Sequence, residues 1–276
     1  MSTVKAYYDR WAEEEWKRLS RNPYRRLEYF VTMHFLEKYL PSSGLVLDAG
    51  GGPGRYSIEL ARKGYDMVLL DLSSSCLELA RRKIARAHVE ERVKQLVEGS
   101  ITDLNMFRDE QFDAVLCLGP LSHLIEKRDR DRAADEIVRV AKKGAVLFVS
   151  VISLYGVFRT LLQRLQDEIV DPSHEELFRS GVHRAHPTPH RGGKGFATVD
   201  AVFFHPRDVR DLFESRNIKT LDMATLEGLS SHLQGPTSRL YRDEAKWARW
   251  KELLLKTCTD PILLGMGEHF LYVGRK

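Results

Sequence analysis

The residues best suited to chemistry in this chain of 276 residues are glycines set between two acids. They are Asp48-Ala49-Gly50-Gly51-Gly52-Pro53-Gly54 and then Asp71, which ends the next apolar run, Met67-Val68-Leu69-Leu70-Asp71. Glycine carries no Cβ, so such a run can turn sharply and let a ligand lie against bare backbone. Asp71 follows the glycines by roughly 20 residues, the distance at which a ribose diol is held in nucleotide-binding sheets. Its two carboxylate oxygens can accept both hydroxyl protons. A dinucleotide loop reads G-x-G-x-x-G and sets a pyrophosphate on a helix N-terminus, but here Arg55 stands at the third glycine position. Asp48 adds a negative charge that disfavours an anion and favours a cationic amine and sulfonium. The loop therefore points to S-adenosylmethionine rather than NAD.

Histidines are the next candidates. His123, in Leu118-Gly119-Pro120-Leu121-Ser122-His123, follows another apolar run. An imidazole suits proton acceptance near neutral pH, so His123 is the candidate catalytic base, with a structural or cofactor-contacting role as the competing reading. His205 could face the same cleft or open the next helix. His183, His186 and His190 have the spacing of ligands on one helix face, but Pro187 and Pro189 oppose a helix there. No metal site is expected. Arg184, Arg191 and Lys194 make this stretch basic, suited to an acidic group on a substrate or to a solvated loop.

These side chains need a scaffold that brings strand ends together. Short apolar runs alternate with helical segments: strands at 45–48, 67–71, 94–98, 112–118 and 144–152, and helices at 56–63, 74–87 and 130–141. This alternation predicts an α/β protein with a doubly wound, mostly parallel sheet. Runs such as VLLD and AVLCL are apolar throughout, as expected where both sheet faces are covered. A helical cover is expected over 1–43, the ligand-binding core over 44–152, an inserted lid or substrate segment over 153–200, and completion of the sheet over 201–276. Strands at 217–221 and 269–273 are expected to pair as an antiparallel edge.

The loop D-A-G-G-G-P-G, Asp71, Gly99-Ser100-Ile101-Thr102-Asp103 and Phe112-Asp113-Ala114-Val115 occur in order. On these motifs the chain resembles the class I S-adenosylmethionine-dependent methyltransferases, in wording most like the UbiE-like (methyltransferase type 11) group. The resemblance implies that Gly50, Gly51 and Gly52 pass under the methionine part of S-adenosylmethionine and that Asp48 reaches its amino group. It implies that Asp71 holds the ribose with Leu72 against the adenine. Ser100 and Ile101 would flank the adenine, near Asp103, and Leu118 would lend backbone beside the sulfonium. Tyr8, Trp11 and Arg26 would close the pocket from the N-terminal helices. The activity implied is methyl transfer to a small molecule, leaving S-adenosylhomocysteine. A tRNA- or RNA-modifying enzyme and a non-catalytic S-adenosylmethionine-binding protein are the alternatives. The accepting atom and the oligomeric state are left open.

Composition narrows the class. Hydrophobic residues are 43% and charged residues 30%, the balance of a folded globular chain. The net charge of +4 is too small to make nucleic acid the default partner. Cys76, Cys117 and Cys258 are too scattered for a disulfide framework or a CxxC site. The longest apolar stretch, 144–152, falls short of the roughly 20 residues of a membrane span. The first residues hold acids and tryptophans where a signal peptide needs an apolar core. A cytoplasmic protein with no membrane anchor is expected.

Overall fold

A computed structural model describes residues 3–164, 166, 169–185 and 199–276. Its N-terminal helices are α1 (Thr3–Arg18) and α2 (Pro23–Tyr39). The alternating region follows: β1 (Leu45–Ala49), α3 (Arg55–Arg62), β2 (Asp66–Asp71), α4 (Ser74–Ala87), β3 (Val93–Glu98), β4 (Phe112–Leu118), α5 (Lys127–Val140) and β5 (Ala141–Ile152). An excursion holds α6 (Leu154–Arg164), α7 (Ser173–Ser180) and the short strands β6 (Val182–His183) and β7 (Ala201–Val202). The chain closes with α8 (Pro206–Glu214), β8 (Lys219–Thr225), α9 (Gln234–Leu240), α10 (Glu244–Thr257), α11 (Pro261–Leu264) and β9 (His269–Arg275).

Seven strands form one sheet in the order β3-β2-β1-β4-β5-β9-β8. β1 to β5 pair in parallel, while β9 runs antiparallel to both β5 and β8. Successive side chains of a strand point to opposite faces, and here each face has its own core. Leu47, Val68, Leu70, Val115, Cys117, Leu147 and Val149 pack on one side with Ile137 of α5 and Phe213 of α8. Val46, Met67, Leu69, Ala114, Leu116, Val146 and Phe148 pack on the other with Phe35 of α2, Leu60 of α3 and Ile84 of α4. Burial on both faces is why these strands read as unbroken apolar runs. Among the described residues no helix is long and apolar enough to cross a membrane.

Two strands start more than a residue away from where expected, and the first is β5, which begins at Ala141 rather than at 144. The strand expected from 217 begins at Lys219, because Asn217 takes a left-handed turn (φ 61) that ends α8. In the segment read as an insert over 153–200, Val182 and His183 pair with Val202 and Ala201 in a separate two-stranded sheet. Leu154, Val157 and Leu177 pack there with Ala201 and Phe203. His186, His190, Arg191 and Lys194 lie outside the described residues. Within them, His183 is buried in β6, and Arg184 meets Glu126 at 3.3 Å.

Candidate active site

The carboxyl ends of β1, β2 and β4 surround one cleft of about 590 Å³. Its walls include Asp48, Gly50, Gly51 and Gly52 from the first loop, Asp71 and Leu72 from the second, and Ser100 and Ile101 beyond β3. Leu118 and His123 enter from the loop after β4, and Tyr8 from α1. Asp103 and Arg26 do not line it. Arg26 instead lies over the Tyr241 ring and donates to its hydroxyl, so the expected cofactor role for Arg26 is corrected. His205 is the N-cap of α8, in a capping box with Asp208.

The glycine turn is held from within. Gly50 (φ 79) donates its N–H to the Leu70 carbonyl, and a Cβ there would overlap Pro120. The N–H of Gly52 donates to Asp71 Oδ2 at 2.7 Å, and the N–H of Ser73 donates to Oδ1 at 2.8 Å. Asp71 thus braces the loop opposite while each oxygen keeps a lone pair for a ligand. Burial pushes its carboxyl up to about 6 against these two bonds. Asp48 is buried beneath the turn, where Ser57 Oγ donates to its Oδ2 at 2.7 Å. Burial pushes Asp48 up to about 6 as well, and among the described residues its Oδ1 has no hydrogen-bond partner. Two buried carboxyls with no ion pair among the described residues, one with an orphan oxygen, fit a positively charged nucleoside. A Cβ at Gly119 would meet open space, and one at Gly52 only Glu15, 3.9 Å away.

α1 lies across this cleft as a strap. Lys5 Nζ donates to the Leu72 carbonyl at 2.9 Å and pairs with Glu98, and Ser73 Oγ donates to Asp9 at 2.6 Å. The Tyr8 hydroxyl and His123 Nε2 are 2.8 Å apart, and His123 Nδ1 lies 3.2 Å from the Asp200 carbonyl. A carbonyl only accepts, so Nδ1 carries the proton and Nε2 accepts from Tyr8. Burial holds the imidazole below its ordinary pKa. With both nitrogens committed, His123 has no lone pair for an incoming proton while α1 is in place. His123 thus lines the cleft as expected and ties α1 to the loop after β4 through Tyr8.

A second cavity of about 700 Å³ adjoins the first and shares Tyr7, Tyr8, Glu15, Arg18, Ile152 and His269 with it. Trp11 and Arg25 line its N-terminal side, and Gly156, Val157 and Thr160 of α6 its far side. Behind the shared wall lies an ion network that the sequence reading missed. Arg18 donates to both oxygens of Glu28 at 2.8 and 2.6 Å. Arg25 pairs with Glu268 at 2.9 Å, and His269 Nδ1 meets Glu227 at 2.6 Å. Although buried, Glu28 is held down to about 2 by the Arg18 guanidinium. Donor atoms of Glu28, Glu227 and His269 lie within 4.8 Å of one another. They are already paired with Arg18 and with each other, which makes them an ion network rather than an open cation cage. The one sequence signal was Glu28 itself, an acid on the buried face of α2 between Leu27 and Val31.

The fold and this cleft define a class. Residues 46–144 match the Methyltransferase domain family. A demethylmenaquinone methyltransferase of Clavibacter sepedonicus is 35% identical over 108 residues, covering 39% of this chain and 41% of that protein. A ubiquinone biosynthesis O-methyltransferase of Xylella fastidiosa is 32% identical over 124 residues, covering 45% and 48%. The chain therefore matches less than half the length of these curated relatives. The structure of a 1,6-didemethyltoxoflavin-N1-methyltransferase from Burkholderia thailandensis, bound to 1,6-didemethyltoxoflavin and S-adenosylhomocysteine, aligns over 99% of this chain and 87% of its own. Its TM-score is 0.55 at 14% identity, a likeness of fold. Residues 46–144 therefore carry a methyltransferase domain, set in a fold shared with S-adenosylmethionine-dependent methyltransferases of known structure.

Proposed function

We propose that this protein transfers the methyl group of S-adenosylmethionine to a small-molecule acceptor seated in the second cavity. The observation that carries the reading is the joining of the two cavities across a shared wall. One is lined by a glycine turn and the buried acids Asp48 and Asp71, the other by Tyr7, Tyr8 and Trp11, and both by the paired Arg18. The cofactor supplies an electrophilic methyl on a sulfonium whose departing thioether needs no acid.

Asp71 would take the ribose hydroxyls on its free lone pairs, with Leu72, Ser100 and Ile101 around the base. Gly50, Gly51 and Gly52 would admit the amino-acid portion, and Asp48 would answer its ammonium through the loop. Leu118 would supply backbone near the reacting carbon. Tyr8, latched to His123, keeps α1 over the cleft and limits water, so that alignment and exclusion of solvent supply much of the rate. The relatives' printed names include quinone-pathway and toxoflavin-type methyltransferases, which supports a small acceptor.

Titration calorimetry with S-adenosylmethionine and S-adenosylhomocysteine tests the reading. Micromolar binding is expected, with loss on Asp71→Ala. No heat at high micromolar ligand sinks the proposal.

A further inference from the structure

His269 sits where the two cavities meet, at the carboxyl edge of the sheet, paired with Ile152 across the β5–β9 ladder. Its Nδ1 lies 2.6 Å from Glu227 Oε1, and its own backbone N–H donates to the other oxygen of Glu227 at 2.9 Å. Two bonds from one carboxylate fix both the ring and its tautomer. Imidazole nitrogens diverge, so Nε2 faces away from Glu227. Among the described residues no hydrogen bond engages it. Tyr7, Tyr8 and Trp11 line the adjoining cavity and suit a flat aromatic ring.

We infer that His269, oriented by Glu227, takes the proton from a phenolic or enolic hydroxyl of the methyl acceptor; the inference rests on the methyl-transfer reading above. The O–H bond breaks toward Nε2, the O–CH3 bond forms, and the S–CH3 bond breaks with its electron pair left on sulfur. Glu227 balances the imidazolium that results. His269 is thus a catalytic residue and Glu227 a positioning residue. An acceptor of this class needs such a base, because its neutral hydroxyl is a poor nucleophile.

The surroundings support the role. From α2, Glu28 lies 4.0 Å from Nδ1, and Arg25 is taken up by Glu268. From α1, Arg18 is taken up by Glu15 and Glu28. His232 and Tyr24 face Glu268 rather than His269. Burial alone would lower the imidazole's pKa, but Glu28 and Glu227 outweigh it and leave the group more basic than a free histidine.

The test measures methyl transfer from labelled S-adenosylmethionine to catechol, 4-hydroxybenzoate and 1-naphthol, with benzylamine as the contrasting acceptor. Wild type, His269→Gln and Glu227→Gln are compared across pH, with the cofactor affinity of each set by calorimetry. Transfer to a phenol should rise with pH to a plateau. His269→Gln should lose on the order of 100-fold or more in kcat, with cofactor affinity kept within about twofold. Glu227→Gln should move the acid limb to lower pH. Nitrogen NMR of the wild-type imidazole should find the neutral proton on Nδ1.

A His269→Gln enzyme with wild-type rate and acid limb overturns the inference, as does a neutral proton on Nε2. A wild type that binds the cofactor yet methylates none of the phenols overturns it too, while methyl transfer to small molecules in general stands. Failure to bind the cofactor overturns both readings.

Discussion

Two sets of buried acids in this molecule follow opposite electrostatic plans. At the glycine turn, Asp48 and Asp71 are buried and form no ion pair among the described residues, and both carboxyls are pushed up to about 6. Where the two cavities meet, Glu28, Glu227 and Glu268 each have a basic partner, and Glu28 is held down to about 2. The first arrangement stores an unmet need for positive charge, which a cationic ligand can satisfy on arrival. The second is already neutralised, and so contributes shape and a fixed imidazole rather than charge attraction. The difference teaches where ligand binding and where folding draw their electrostatic stabilisation.

Breaking the network should cost the most. Glu28→Ala leaves Arg18 with Glu15 alone and His269 with Glu227 alone, and removal of one member of a buried pair costs up to about 3–5 kcal/mol. Urea unfolding at neutral pH reads this directly; a loss below about 1 kcal/mol would mean that water already reaches the network. The pH dependence should agree. Glu28 is depressed when folded, so its contribution is present above the unfolded value of 4.5 and is lost as pH falls toward about 2.

The glycine turn comes next. Gly50→Ala places a methyl group into Pro120 at a backbone angle that L-residues avoid. Strain of about 1–3 kcal/mol corresponds to a loss of roughly 10- to 100-fold in S-adenosylmethionine affinity. Unchanged calorimetric affinity would mean that the turn does not shape the site.

The cleft acids should show the opposite pH sign. Asp48 is raised when folded, so the ligand-free protein loses stability as pH climbs from about 4 through about 6. Asp48→Asn should therefore raise the stability of the ligand-free protein at pH 8 by about 1–3 kcal/mol and change little at pH 4. Binding of S-adenosylmethionine near pH 6 should release protons, seen as a binding enthalpy that varies with buffer ionisation heat. Buffer-independent heats would show that neither acid senses the ligand.

The smallest effect belongs to the latch. Tyr8→Phe deletes one hydrogen bond to His123, worth about 0.5–1.5 kcal/mol. Stopped-flow release of S-adenosylhomocysteine should speed up by a few-fold to about tenfold. An unaltered rate would assign closure of the strap to Lys5 and Asp9 instead.

The cofactor half was legible in the sequence because its parts are consecutive. A strand that must bury both faces is apolar at every position, as in Val46–Leu47 or Val115–Leu116, and the turn that leaves it announces itself in glycines. The acids at 48 and 71 stand at strand ends, where spacing alone places them on one edge. His123 was legible as a histidine after β4, but its role was not, since Tyr8 and Asp200 reach it from remote segments.

The linear chain settled the order of strands and helices, the doubly covered sheet and the glycine turn, because these follow from local periodicity and from what a residue lacking Cβ permits. Folding alone decided that Arg26 turns to Tyr241, that His123 meets Tyr8 of α1, and that Glu28, Glu227 and His269 converge where the two cavities meet. Those meetings join side chains from remote stretches of the chain. Burial, which makes an unpaired charge costly, determines which partners they must find.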